Sequence, residues 1–206
     1  MVTLTILTIS FLTAISCKIK KVKSPVALAL TWYVHIIFLF FSVICLLLMI
    51  NGYGFKGTQT ERIFFTLYAG SGMVLYGLSK PGTDARHAYL TVLFSFPFVL
   101  LLGLVIPPLR ILTLVVTLTL LSDSDFRRYT IDDDHALQSK TSGILSVTPA
   151  YSMVTDKYWL FEEITPDVIK PRQAVSNLRL KKKGEDSVLV QWGYGKMRKD
   201  TLLALE

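Results

Sequence analysis

Residues 25–50 read PVALALTWYVHIIFLFFSVICLLLMI, 26 residues without an acid, a lysine or an arginine. At about 1.5 Å per residue such a helix is about 39 Å long, more than the roughly 30 Å of a bilayer's hydrocarbon layer. A helix on the surface of a soluble domain carries a polar face, and this stretch has none. Pro25 falls in the first turn, where its missing N–H is not needed. Trp32 and Tyr33, near one end, suit an interfacial aromatic belt. The stretch predicts a membrane-spanning helix, and the rest of the chain is read around it.

The apolar pattern extends on both sides. Val2 to Cys17 is apolar and rich in Thr, with no basic residue before it and Lys18, Lys20, Lys21 and Lys23 after it. A secretory signal has the opposite order, so an uncleaved first helix with its basic end in the cytoplasm is expected. Ile63 to Ser79 is a third run. Gly70 and Gly77, seven residues apart with Thr66 one turn earlier, share a face that allows close backbone packing. His87 to Ile106 is a fourth, with a bend expected at Pro97.

Pro107-Pro108-Leu109-Arg110 then breaks the chain, and Ile111 to Leu121 follows. Eleven residues are short for a span. Leu112, Leu114, Val116, Leu118 and Leu120 alternate with Thr113, Val115, Thr117 and Thr119, which is a strand signal. No charge interrupts the segment, however, and Arg127-Arg128 stands beyond it like the edge of a membrane. A short fifth helix is the preferred reading.

Charge sets the expected orientation. Residues 1–121 hold nine Lys/Arg and two Asp/Glu, while residues 122–206 hold thirteen of each, so the whole net charge of +7 belongs to the apolar part. The connection 18–24 carries four lysines, and 79–87 carries Lys80 and Arg86; both are expected in the cytoplasm and 51–62 outside. Five spans then put the tail in the cytoplasm, and four put it outside. The balanced tail also removes the case for nucleic-acid binding that a pI near 9.4 would raise.

From residue 122 the composition is that of a small folded domain. Leu178 and Leu180, then Val188, Val190 and Trp192, alternate with polar or outward residues on either side of Lys183-Gly184-Glu185-Asp186, which predicts a hairpin. Lys157 to Ile164 is a further strand candidate; Phe126 to Ile131 and Ile144 to Val147 are weaker ones. Pro149, Pro166 and Pro171 are assigned to connections. Lys196 to Leu205 is a closing helix or a last strand. The fold class expected is thus an α+β membrane protein. Its domains are a bundle of four to five transmembrane helices over 1–121 and a mostly antiparallel β domain over 122–206.

Chemistry-bearing residues are few. Thr31, His35 and Ser42 share a face of the second run, and His87, Thr91 and Ser95 recur at fourth positions on the fourth. Ionisable residues within a span raise a proton or ion path. The plainer reading is packing, with hydroxyls bonded to their own helix backbone. Asp132-Asp133-Asp134-His135 lacks the spacing of a calcium loop or a zinc site and reads as a solvated turn. Lys181-Lys182-Lys183 reads as a hairpin end, or as a contact for anionic headgroups. Cys17 and Cys45 form no metal or disulfide framework. Gly52-Tyr53-Gly54, Gly70-Ser71-Gly72 and Gly193-Tyr194-Gly195 do not continue into a nucleotide loop. No metal, cofactor or catalytic residue is expected.

No motif names an activity. The expectation is a non-enzymatic, multi-pass membrane anchor that displays a small β module for protein interaction or assembly. Its partners are the lipid bilayer and, through the Gly70/Gly77 face or the tail, other membrane proteins. The alternative is a small transporter or channel component using the His/Thr/Ser stripes.

Overall fold

The computed structural model describes residues 2–57, 59–121, 127–140, 150–169, 177–184, 187–194 and 197–205. The chain divides into two compact units: residues 1–47 with 59–123, and residues 48–58 with 124–206. The boundary near residue 122 is where the composition changes. The last residues of the second apolar run and the connection after it, Leu48–Thr58, group with the β unit.

Among the described residues, five helices make up the first part: α1 (Val2–Ile19), α2 (Pro25–Ile50), α3 (Thr60–Leu78), α4 (Ala85–Val105) and α5 (Pro107–Leu121). Three of them, α1, α2 and α4, are long and apolar enough to cross a membrane, by length and composition. That corrects the expected four to five. Glu61, Arg62 and the Gly, Ser and Tyr residues of α3 lower its hydropathy, and α5 has only 15 residues.

Residue exposure follows the same division. Val26, Leu30, Phe40 and Leu47 of α2 are exposed, as are Val92, Val99, Leu102 and Val105 of α4. In α3, by contrast, Thr66, Gly70, Gly72, Met73, Leu75 and Gly77 are buried. The least apolar of the four long helices is therefore the enclosed one, because its neighbours supply the apolar outer surface.

Local sequence explains the helix ends. Ser24 Oγ accepts a hydrogen bond from the Ala27 N–H at 3.2 Å and caps α2. α4 runs unbroken through Pro97. Ile106 is extended, as a residue before proline prefers. Pro107 and Pro108 then begin α5, four residues earlier than the sequence suggests, since the first turn needs no N–H donors. The Thr/Leu alternation of 111–121 is helical and not a strand.

Residues of α1 and α3 that touch pair in ascending order along both helices. Arg62 Nε donates to Thr3 Oγ1 at 2.8 Å, and Lys18 Nζ donates to the Ser79 carbonyl at 3.1 Å. Between these ends, Gly70 faces Ser10 and Gly77 faces Ala14. The two helices are parallel, with α2 antiparallel to α3 through His35–Ser71 and Phe41–Phe64. The Gly70/Gly77 face is a packing surface, and within the chain α1 occupies it.

The described residues of the β unit form two antiparallel sheets. One has the order β1-β5-β4-β3-β2, from β1 (Tyr53–Phe55), β2 (Arg127–Thr130), β3 (His135–Lys140), β4 (Ala150–Asp156) and β5 (Phe161–Ile169). The other is the meander β6 (Asn177–Lys182), β7 (Ser187–Tyr194) and β8 (Met197–Ala204). Leu137, Tyr151, Met153 and Ile169 of the first sheet meet Val188, Val190 and Leu203 of the second in one core. This is the alternation of a half-buried strand made into a sandwich.

The expected hairpin is β6–β7, with Leu180 opposite Val190 and Gly184 at φ +93° in the turn. Residues 197–204 form a strand rather than a helix. Two expectations fail. The Lys157 to Ile164 candidate is strand only from Phe161, in β5; Lys157 to Leu160 form the turn between β4 and β5, in which Tyr158 and Phe161 exchange both backbone bonds at 3.2 Å. Pro166 lies within β5, not in a connection. The register with β4 shifts there and Asp167 takes φ +58°, so the proline sits in a bulge, where no ladder donor is required. The Ile144 to Val147 candidate, with Pro149 and Pro171, lies outside the described residues.

Candidate functional site

β1 was not anticipated from the sequence. Tyr53 pairs with Glu163 and Phe55 with Phe161, and the two Phe rings lie 5.2 Å apart. Ile164 N–H donates to the Gly52 carbonyl at 2.8 Å, Lys56 N–H to the Leu160 carbonyl at 3.0 Å, and Lys56 Nζ lies 2.6 Å from Asp156. Three residues are a weak signal for a strand by themselves. Their stability comes from β5 and from Asp156.

In the helical unit, His35 is 1% exposed and lies in a polar cluster. Its Nδ1 is 2.9 Å from Ser71 Oγ, its Nε2 is 2.7 Å from the Tyr89 hydroxyl, and that hydroxyl is 2.6 Å from the hydroxyl of Tyr68. Ser71 Oγ lies 3.0 Å from the Tyr68 carbonyl, to which it donates. One assignment gives every donor an acceptor. Tyr68 O–H donates to Tyr89, Tyr89 O–H to Nε2, Nδ1–H to Ser71, and Ser71 O–H to the Tyr68 carbonyl. The chain of bonds starts and ends on Tyr68 and requires a neutral imidazole. The His35 ring also stacks on Tyr68 at 5.0 Å. This closed ring joins α2, α3 and α4, and leaves no free member to pass a proton onward.

The remaining residues of the two stripes go elsewhere. Thr31 donates to the Ala27 carbonyl, Thr91 to the His87 carbonyl and Ser95 to the Thr91 carbonyl, each at 2.7–2.8 Å within its own helix. Ser42 Oγ is buried without a hydrogen-bond partner among the described residues. His87 stacks on Tyr76 at 5.5 Å, and its buried Nδ1 has no hydrogen-bond partner among the described residues. The sequence reading missed Tyr68, Ser71 and Tyr89. A tyrosine within an apolar run is a usable signal, because a buried phenol needs a partner.

A second feature lies at the end of the helical unit where α1 and α3 finish and α2 and α4 begin. The connections 18–24 and 79–87, with the adjoining helix ends, border an open pocket of about 830 Å³. Lys18, Lys21, Lys23, Lys80 and Arg86 line it together with one carboxylate, Asp84. Leu28, Leu78 and Leu90 supply an apolar wall. Arg86 also lies over the Trp32 ring at 4.1 Å, and Lys18 over Tyr76 at 4.6 Å. Trp32, read from the sequence as a belt residue, supports this rim.

In the β unit the acidic cluster is a built turn. Asp132 Oδ1 accepts from the His135 N–H at 2.7 Å and the Asp134 N–H at 3.2 Å, and Oδ2 is 2.9 Å from Lys182 Nζ. The Lys182 ammonium, aided by His135 and the turn N–H groups, holds the Asp132 carboxyl well below the usual carboxylate range. Among the described residues, no group of three or more His, Cys, Asp or Glu is placed to hold a metal. Arg128 lies 2.8 Å from Glu162 and 3.7 Å from Asp156, so its charge is neutralised inside the unit. The β4–β5 turn projects apolar side chains instead: Tyr158, Trp159 and Leu160 are 68%, 86% and 49% exposed.

No family model, no curated protein and no solved structure matches this chain.

Proposed function

We propose that the protein is a non-enzymatic, multi-pass integral membrane protein whose helical unit anchors a β unit that contacts other proteins. The observation that carries this reading is the Tyr158-Trp159-Leu160 tip. Large aromatic side chains at protein interfaces supply most of the binding energy, and a bare tip of this kind is costly to leave in water. The turn bonds between Tyr158 and Phe161 hold it in one shape, which lowers the ordering cost of binding. The apolar outer faces of α1, α2 and α4 support the anchor.

The same reading puts the β unit on the non-cytoplasmic side, opposite to the side expected for five spans. β1 sits between α2 and α3 and is bonded to β5, so the α2–α3 connection and the tail share a compartment. In this reading α3 crosses as well, enclosed among the three apolar helices; the basic connections 18–24 and 79–87 then lie at the other ends of α2 and α3, and positive loops stay in the cytoplasm. α5, about 22 Å long, is too short to carry the tail across a layer of about 30 Å. Arg128, paired with Glu162, exerts little pull as a topogenic charge.

A transporter or channel role finds less support, since Thr31, Thr91 and Ser95 are bonded to their own helices and the His35 ring is closed. The display role is tested by placing a photoreactive residue at 159 and, as control, at the exposed Lys183 in the full chain in its native membrane. A discrete protein adduct at 159 alone is expected. Equal labelling at both positions, or adducts with lipid alone, would refute it.

A further inference from the structure

The two basic connections are explained in part by orientation, since lysines at helix ends keep a loop in the cytoplasm. Orientation requires charge but no hollow. Here both connections border a single open pocket of about 830 Å³, the size of a small-molecule site. Five positively charged side chains line it against, among the described residues, the single carboxylate of Asp84.

Two more features favour an anion. α2 and α4 both begin at this end, and helix N-termini attract negative charge. Asp84 stands at the N-cap of α4 but makes no side-chain capping bond, so the first-turn donors of α4 are not satisfied by it. His87, which lines the cavity, holds the buried Nδ1 that has no hydrogen-bond partner among the described residues. Leu28, Leu78 and Leu90 add an apolar wall, which a simple inorganic ion does not need.

We infer that this cavity binds a phosphate group, and that the apolar wall receives the hydrocarbon part when the phosphate is the head of an anionic lipid. The lysines act as point charges on the phosphate oxygens, Arg86 closes one side from its place over Trp32, and a phosphate oxygen accepts from His87. The site belongs to the helical unit and does not depend on the display role of the β unit.

The test uses the full-length protein in phosphatidylcholine nanodiscs, with and without phosphatidic acid, with bound species read by native mass spectrometry. Lys23→Gln with Lys80→Gln removes one exposed charge from each connection, and Lys181→Gln with Lys183→Gln removes the same charge from the β unit. Phosphatidic acid should bind saturably to the parent protein. Binding should weaken at least about tenfold in the 23/80 pair, stay unchanged in the 181/183 pair, and survive Lys23→Arg with Lys80→Arg. Pyrophosphate alone is the second arm. If it binds with the same dependence on residues 23 and 80 while the lipid does not, the site takes a free phosphate. Absence of binding in both arms, or equal weakening in the two Gln pairs, would overturn the inference.

Discussion

Tyr89 and His35 lie 2.7 Å apart, hydroxyl to Nε2, and their bond links α4 to α2. Tyr89→Phe would leave the imidazole nitrogen unpaired and Tyr68 without its acceptor. The expected cost is about 1–2 kcal/mol for an unsatisfied buried group, nearer about 0.6 if the site behaves like an average hydrogen bond between membrane helices. A lowered midpoint of unfolding in detergent checks it. An unchanged midpoint would mean that the ring of bonds contributes nothing to holding α2 to α4.

The two glycines facing α1 should respond unequally. A Cβ at Gly77 would lie 2.6 Å from the Ala14 Cα, and backbone cannot rotate away. At Gly70 the nearest atom is Ser10 Oγ, at 2.5 Å, which can turn aside. Gly77→Ala should therefore cost about 1–3 kcal/mol, and Gly70→Ala clearly less. Denaturation of the two variants side by side gives the order, and the reverse order would contradict the packing of α1 on α3.

Acid should weaken the β unit through Asp132. Its folded-state pKa is depressed by Lys182, then by His135 and the turn N–H groups. The stabilisation is therefore fully present above the unfolded pKa of about 4 and is lost as pH falls toward the folded value. A series of unfolding midpoints from neutral pH downward should decline below about pH 4 in the parent protein. Lys182→Gln should flatten that decline, and Asp132→Asn should remove this residue's share altogether. Three identical profiles would show that the Asp132–Lys182 contact has no energetic weight.

A pair of C-terminal fusions reports the compartment. Alkaline phosphatase, active only outside the cytoplasm, should be active, and a fluorescent protein that matures only in the cytoplasm should stay dark. The expectation follows from the pairing of Tyr53 with Glu163, because a strand between α2 and α3 cannot bond to a tail across a bilayer. A bright cytoplasmic fusion would rule out either that pairing or the orientation drawn from the lysines.

Properties of short windows were legible in the sequence. The 26-residue apolar run became α2, the lysine clusters marked one end of the helices, and alternation around Gly184 gave β6 and β7 with Val188 and Val190 inward. Each depends on hydrophobic period or on charge, which a chain carries whatever it packs against. Partner choice among polar groups was decided by the tertiary structure. His35 finds Tyr89 across 54 residues, while the hydroxyls that shared its stripe turn back to their own helices. The three residues of β1 become a strand because β5 presents unpaired backbone groups to them. In the same way, two separate basic connections become one cavity only because α1 and α3 run parallel and finish together. A buried donor takes whichever acceptor the fold brings within about 3 Å, and that distance is not written in the spacing of residues along the chain.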